Sequence, residues 1–207
     1  MAARPMEHAA SMAKPRIEAV SSPRGRALEA SLQVALIVSA SVFVALCARI
    51  SIPLPHTPVP LTVQNLGVLL VGLLLGSRRG FAALTLYLIE GMAGLPVFSP
   101  MGPGGLAQLF GVTGGFLLAY PFVAFVAGYV FERGSKSFTR AAMAAFDAEV
   151  VLFASGLTWL YLFTHSLAKA AYLGLYFFIA AEVIKVALAA GIASRWRRGR
   201  PSELANL

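Results

Sequence analysis

Charge is scarce in this sequence. Asp, Glu, Lys and Arg make up 13% of 207 residues, whereas 58% are hydrophobic and the mean hydropathy is +0.75. That composition excludes an ordinary soluble fold with a polar exterior and implies an integral membrane protein. Cysteine is nearly absent: Cys47 stands alone, so no intrachain disulfide can form, and within its apolar run it reads as a small buried hydrophobe. His8, His56 and His165 are scattered without ligand spacing, so neither a metal nor any other cofactor is expected. The chain has no G-x-x-x-x-G-K-[ST] loop, which excludes P-loop binding of ATP; "GSRRG" at 76–80 is a basic turn.

What is present is a series of long apolar runs. Six are expected to cross the bilayer: about Leu28–Ala48, Thr62–Gly76, Gly80–Gly94, Val112–Phe131, Ala144–Phe163 and Leu173–Ser194. The fold class is therefore an all-α integral membrane protein with six transmembrane helices. The second and third runs are short for the roughly 20 residues of a simple span and are expected to be tilted or extended. Residues 1–27, basic and carrying Pro5, Pro15 and Pro23, are expected to form a disordered arm ahead of a membrane domain at 28–198, with a short tail at 199–207. The first apolar run starts too late and is too long for a secretory signal.

The formal net charge of +8 suggests nucleic acid, but the positions of the basic residues argue for a membrane orientation instead. Fourteen of the 17 Lys and Arg fall in the arm (Arg4, Lys14, Arg16, Arg24, Arg26), in the two even-numbered turns (Arg78, Arg79; Arg133, Lys136, Arg140) or in the tail (Arg195, Arg197, Arg198, Arg200). With six spans these all share one side. By the positive-inside rule that side is the cytoplasm, both termini lie there, and the protein belongs in the cell membrane as a multi-pass protein. No nucleic-acid partner is expected.

The opposite side carries little charge. "RISIPLPHTPVPLT" holds four prolines and favours a stiff, extended connection. "GLPVFSPMGPGGLAQLFG" is uncharged and rich in Gly and Pro. Non-helical backbone at membrane depth needs cover from protein or a cavity, so this second segment is either a lid over an outward-facing site or an interfacial connector. Within it, Gly94–Gly105 is the stretch expected to move.

One polar pair interrupts the last run. Glu182 and Lys185 in "AAEVIKVALAA" are three residues apart, so a helix places them on one face, two to three turns inside the outer end of the span. A charge at mid-membrane costs about 2.5–3.5 kcal/mol on insertion scales, and such residues face the bundle interior. Either the pair locks helices together, or it binds substrate, the carboxylate accepting from N–H groups and the ammonium donating to a carbonyl or carboxylate.

Together with that segment, "IPLPHTPVPLTVQNLGVLLVGLLLGSRRG", "LYLIEGMAGLPVFSP" and "GGLAQLFGVTGGFLLAYP" resemble the BioY family, the biotin-specific substrate-binding subunits of energy-coupling factor (ECF) transporters. The resemblance runs from about Ala35 to Arg198 in the family's order and spacing. It implies six helices and a site near the outer face covered by outer loops. It also implies that Glu182 and Lys185 bind biotin, with Ala180-Ala181-Glu182 where many relatives have Pro-Gly-Asp. Ser99 falls at the family's polar position after GLPVF, and Thr113 at a position that is basic in some relatives. The cation for biotin's carboxylate is then Lys185 or Arg49. Gln64 matches the glutamine of PVPxTxQ and suits a ureido group. Tyr87, Phe98 and Trp159 are candidate pocket walls, with lipid contact or helix packing as the other role for each aromatic.

Uptake against a gradient then needs other proteins or an ion gradient. The resemblance implies a transmembrane coupling subunit and two cytoplasmic ATPase subunits, or self-association if the protein is solitary. In the first span, Ala35 with Ser39 and Ser41 with Ala45 give small residues four apart, a spacing that lets another helix approach closely. Two other functions stay open: a subunit for a different vitamin, and an intramembrane enzyme using Glu182 and Lys185 as acid and base. The enzyme reading lacks a nucleophile, a metal site or a second polar constellation.

Overall fold

A computed structural model describes residues 23–198, and the fold is almost wholly helical. By internal contacts the chain divides into two units, residues 1–36 and 37–207. The long helix α1 (Pro23–Arg49) runs through the division. It starts at Pro23, five residues before the expected Leu28; proline is compatible with a first helical position because its missing N–H would have no intrahelical acceptor there. In the first unit Leu28, Leu32, Val34 and Leu36 are all exposed, as side chains meant for lipid would be. The rest of the expected arm, 1–22, and the tail at 199–207 lie outside the described residues.

In the second unit, Ser51–Ile52 (β1) and Leu61–Thr62 (β2) form a short antiparallel ladder, Ser51 opposite Thr62 and Ile52 opposite Leu61. The ladder closes the four prolines into a loop at 53–60. Next come α2 (Gln64–Leu75), α3 (Ser77–Met92), the short α4 (Gly105–Leu109), α5 (Gly114–Glu132) and α6 (Phe138–Thr164). After α7 (Leu167–Ala171) and a π-turn (Tyr172–Tyr176), α8 (Ile179–Arg198) ends the described chain.

Each of the first five expected spans overlaps one helix. Among the described residues, length and apolarity alone qualify three helices to cross a membrane, α1, α5 and α6, and a fourth if the bent pair Leu167–Tyr176 and Ile179–Trp196 is one span. At 1.5 Å per residue, α2 and α3 reach only about 18 and 24 Å. The core lies where α5 packs on α2, α3 and α6, and where α8 packs on α2 and α6.

Local chemistry sets the turns. Gly76 separates α2 from α3 at φ 91°, a conformation that disfavours any residue with a Cβ. Glu132, at the end of α5, then accepts from both the N–H (3.1 Å) and the hydroxyl (2.8 Å) of Ser77, satisfying donors at the start of α3. This brings the two basic turns, 76–80 and 132–140, to the same end of the bundle. Ser137 caps α6 by accepting from Arg140 N–H at 3.2 Å.

The sixth expected span is not one straight helix, because it bends by 47° at the π-turn. Buried Gly174 sits there against Leu160, which a Cβ would meet at 2.5 Å. Such bulges are a known source of sharp bends. The bend places Glu182 in the first turn of α8 and not in mid-helix. The helix dipole favours a carboxylate there, by about 0.3–1 kcal/mol in exposed settings.

Candidate substrate site

Glu182 and Lys185 are both buried and form an ion pair, Lys185 Nζ to Glu182 Oε1 at 2.6 Å. Because the two share one helix, the pair cannot by itself lock two helices together. That bridge is made by Asn65, in the first turn of α2. Its Nδ2 donates to Glu182 Oε2 at 2.8 Å and to Glu149 Oε1, on α6, at 2.6 Å. One amide thus ties α2, α6 and α8 together through two carboxylates.

The orientation of that amide follows from its neighbours. Two carboxylate oxygens beside one terminal atom require the NH2 group, because an amide oxygen there would face two acceptors. Asn65 Oδ1 is turned away, buried and without a hydrogen-bond partner among the described residues. Glu149 Oε2 is likewise buried and unpartnered. The group sets two carboxyls against one ammonium.

Asn65, Glu182 and Lys185 line a small cavity of about 50 Å³ with Tyr120, Phe116 and Phe178. Val59, Pro60 and Thr62 of the proline loop and its ladder form another wall. The loop is latched in place: Thr57 Oγ1 donates to the carbonyl of Leu173, at the π-turn, at 2.6 Å. Ligand pockets commonly measure about 300–1,000 Å³, so these walls must part to admit a small molecule. Beyond Phe153 and Glu182, a larger apolar groove of about 1,010 Å³ opens between α6 and α8.

The remaining sequence-predicted residues do not line the cavity. Gln64 and Tyr87 are buried beside it as a relay, Gln64 Nε2 donating to Tyr87 Oη at 2.8 Å and Tyr87 Oη donating to the carbonyl of Val97 at 2.9 Å. Phe98 packs edge-on against Tyr87, ring centroids 5.4 Å apart, and covers Gly91 so closely that a Cβ there would lie 2.0 Å from its ring. Ser99 is buried but accepts from Met101 N–H of its own loop. The 94–105 segment is therefore pinned to α3, and none of it faces the cavity, whose roof is the proline loop. Thr113 precedes α5 and makes no side-chain cap there. Trp159 donates to the carbonyl of Gly111 at 2.9 Å, a packing role. Arg49 is exposed at the end of α1.

The small residues of α1 divide by face. Ser41 is buried and donates to Glu90 Oε2 of α3, and Ala45 packs against the core, so this pair is turned inward. Ala35 and Ser39 are exposed. Sequence reasoning missed Asn65 and Glu149. Asn65 stands next to the Gln64 that the motif drew attention to. Glu149 carried the same signal as Glu182, a carboxylate within an apolar run, but it sits near the expected cytoplasmic end of its span.

Comparison with known proteins agrees with this fold. The BioY family model matches residues 18–202. The chain is 38% identical over 158 residues to the probable biotin transporter BioY of Pyrococcus horikoshii, covering 75% of this chain and 91% of that one. It is 40% identical over 161 residues to the biotin transporter BioY of Rhizobium etli, covering 73% and 84%. Among solved structures, the S-component for biotin from an ECF-type ABC transporter superposes with a TM-score of 0.76 at 25% identity, covering 85% of this chain and 96% of that one. Matched in sequence from before the first helix to the end of the last, and in fold along most of its length, the chain belongs to the BioY family.

Proposed function

We propose that this chain is the biotin-binding S-component of an ECF-type transporter, a transport subunit and not an enzyme, and that biotin is held at Asn65, Glu182 and Lys185. The observation that carries this reading is the buried Asn65, Glu182, Lys185 and Glu149 group beside a small cavity, in a chain whose relatives are biotin transporters. Its chemistry also assigns the ligand's ends. A group with more carboxylate than ammonium favours a partner that brings N–H donors, which biotin's ureido ring does. The anionic tail is better placed away from it, toward Arg49, because Lys185 is already committed to Glu182 at 2.6 Å. Phe116, Tyr120 and Phe178 offer apolar walls for the fused rings. Gln64, Tyr87, Phe98 and Ser99 support the site from behind, and Thr113 sits outside it.

Both termini face the cytoplasm of a cell membrane crossed six times. A transmembrane coupling subunit and two ATPase subunits supply the energy, and the exposed Ala35 and Ser39 face of α1 is a surface for the coupling subunit. The test is retention of labelled biotin by the purified protein, with thiamine and riboflavin as competitors. Retention of biotin alone is expected. Retention of another vitamin in its place would reassign the subunit, and conversion of the ligand on release would favour an enzyme.

A further inference from the structure

Glu149 is the one member of the buried polar group without a role toward the ligand. It does not line the small cavity; it faces the α6–α8 groove and reaches Asn65 from behind. Asn65 has two amide hydrogens, and they are spent on Glu149 and Glu182. This leaves Oδ1 as the only Asn65 atom free for a ligand. Were Glu149 absent, one amide hydrogen would lose its acceptor and the amide would be held by Glu182 alone, with less to fix its plane. We infer that Glu149 is a positioning residue: by holding Asn65 Nδ2 from the α6 side, it fixes Asn65 Oδ1 as an acceptor for a ureido N–H and so sets the preference for ligands with an unsubstituted cyclic urea.

This rests on the biotin reading above and deepens it. Burial makes the device effective, because Asn65 and Glu149 are only 3% and 5% exposed and water cannot replace the missing contact cheaply. Glu182 holds the same Nδ2 from the α8 side through Oε2, with Oε1 on Lys185, so Glu149 is the second anchor, the one from α6.

The experiment measures dissociation constants for biotin and for biotin methylated on a ureido nitrogen, in wild type, Glu149→Met, Glu149→Gln, Asn65→Ala and Asn65→Ala with Glu149→Met. Methionine keeps the length and suits an apolar setting; glutamine keeps an acceptor oxygen at the same reach. Glu149→Met is expected to weaken biotin on the order of tenfold to a hundredfold, the effect of an unmade buried hydrogen bond. It should also narrow the gap between biotin and the methylated analogue. Glu149→Gln should recover most of both. On the Asn65→Ala background the added Glu149→Met should change little, because nothing remains to be oriented.

A Glu149→Met protein that keeps wild-type discrimination would overturn the inference. So would equal weakening by Glu149→Met with and without Asn65, which would mark a general packing role. If Glu149→Met fails to fold, the comparison of Glu149→Gln with wild type decides: discrimination lost in the glutamine variant also overturns it. Wild-type protein that binds no biotin would sink the biotin reading itself, an outcome separate from the others.

Discussion

Asn65 donates to two carboxylates on two different helices, so its removal does more than delete a ligand contact. Asn65→Ala leaves Glu149 and Glu182 facing each other without a shared donor, each short of a hydrogen bond in a dry interior. We expect a loss of stability on the order of 1–3 kcal/mol per unsatisfied group, read as a lower melting temperature of the empty protein, together with weaker but measurable biotin binding. Tyr87 offers a milder contrast. Tyr87→Phe removes the acceptor of Gln64 and the donor to the carbonyl of Val97 but leaves the cavity walls in place. Its expected signature is faster hydrogen exchange across 94–105, a stability loss of about 1 kcal/mol, and biotin affinity within a few-fold of wild type. A large affinity loss without faster exchange would place Tyr87 in the site itself.

The proline loop and the π-turn together form one wall of the small cavity. Four prolines keep residues 53–60 out of a helix, the β1–β2 ladder holds both ends, and the Thr57 hydroxyl bonds the loop to Leu173 beside the His56–Phe177 ring stack. Thr57→Val should therefore open the roof more often, raising the biotin off-rate by about tenfold or less while the on-rate stays the same or rises. Stopped-flow or filter-binding kinetics distinguish this from a defect in the polar group, which would act through lost contacts whatever the roof does. The sequence pointed instead to 94–105 as the lid, since glycine and proline permit motion there. It could not show that Phe98 fills the space over Gly91 and pins the segment to α3, because that contact depends on how the chain folds back. The bend after the π-turn was hidden for a similar reason: an apolar run reads as one helix whether or not it is broken between Tyr176 and Ile179. The helices themselves were legible, because the spacing of apolar runs and basic turns is a local signal. Glu182 and Lys185 were legible because charge stands out within lipid-facing sequence; their partner Asn65 was not, because a neutral amide carries no such contrast.

For the whole molecule, the two basic turns at 76–80 and 132–140 meet at one end through Glu132 and Ser77, and the buried polar group lies in the same unit where α2, α6 and α8 converge. Cysteine labelling at residues 10 and 205 tests the orientation: with Cys47 replaced, both sites should react only from the cytoplasmic side. Reaction of the two ends from opposite sides would remove the six-span arrangement. Whether a buried acidic group with one lysine is a biotin site is decided by equilibrium binding of biotin to purified wild-type and Lys185→Ala protein, alongside the melting temperature of each when empty. Tight retention by wild type is expected, with a loss of about 2–5 kcal/mol in binding for Lys185→Ala, beyond any loss common to the folded state. A Lys185→Ala protein that melts early yet binds biotin like wild type once folded would contradict it.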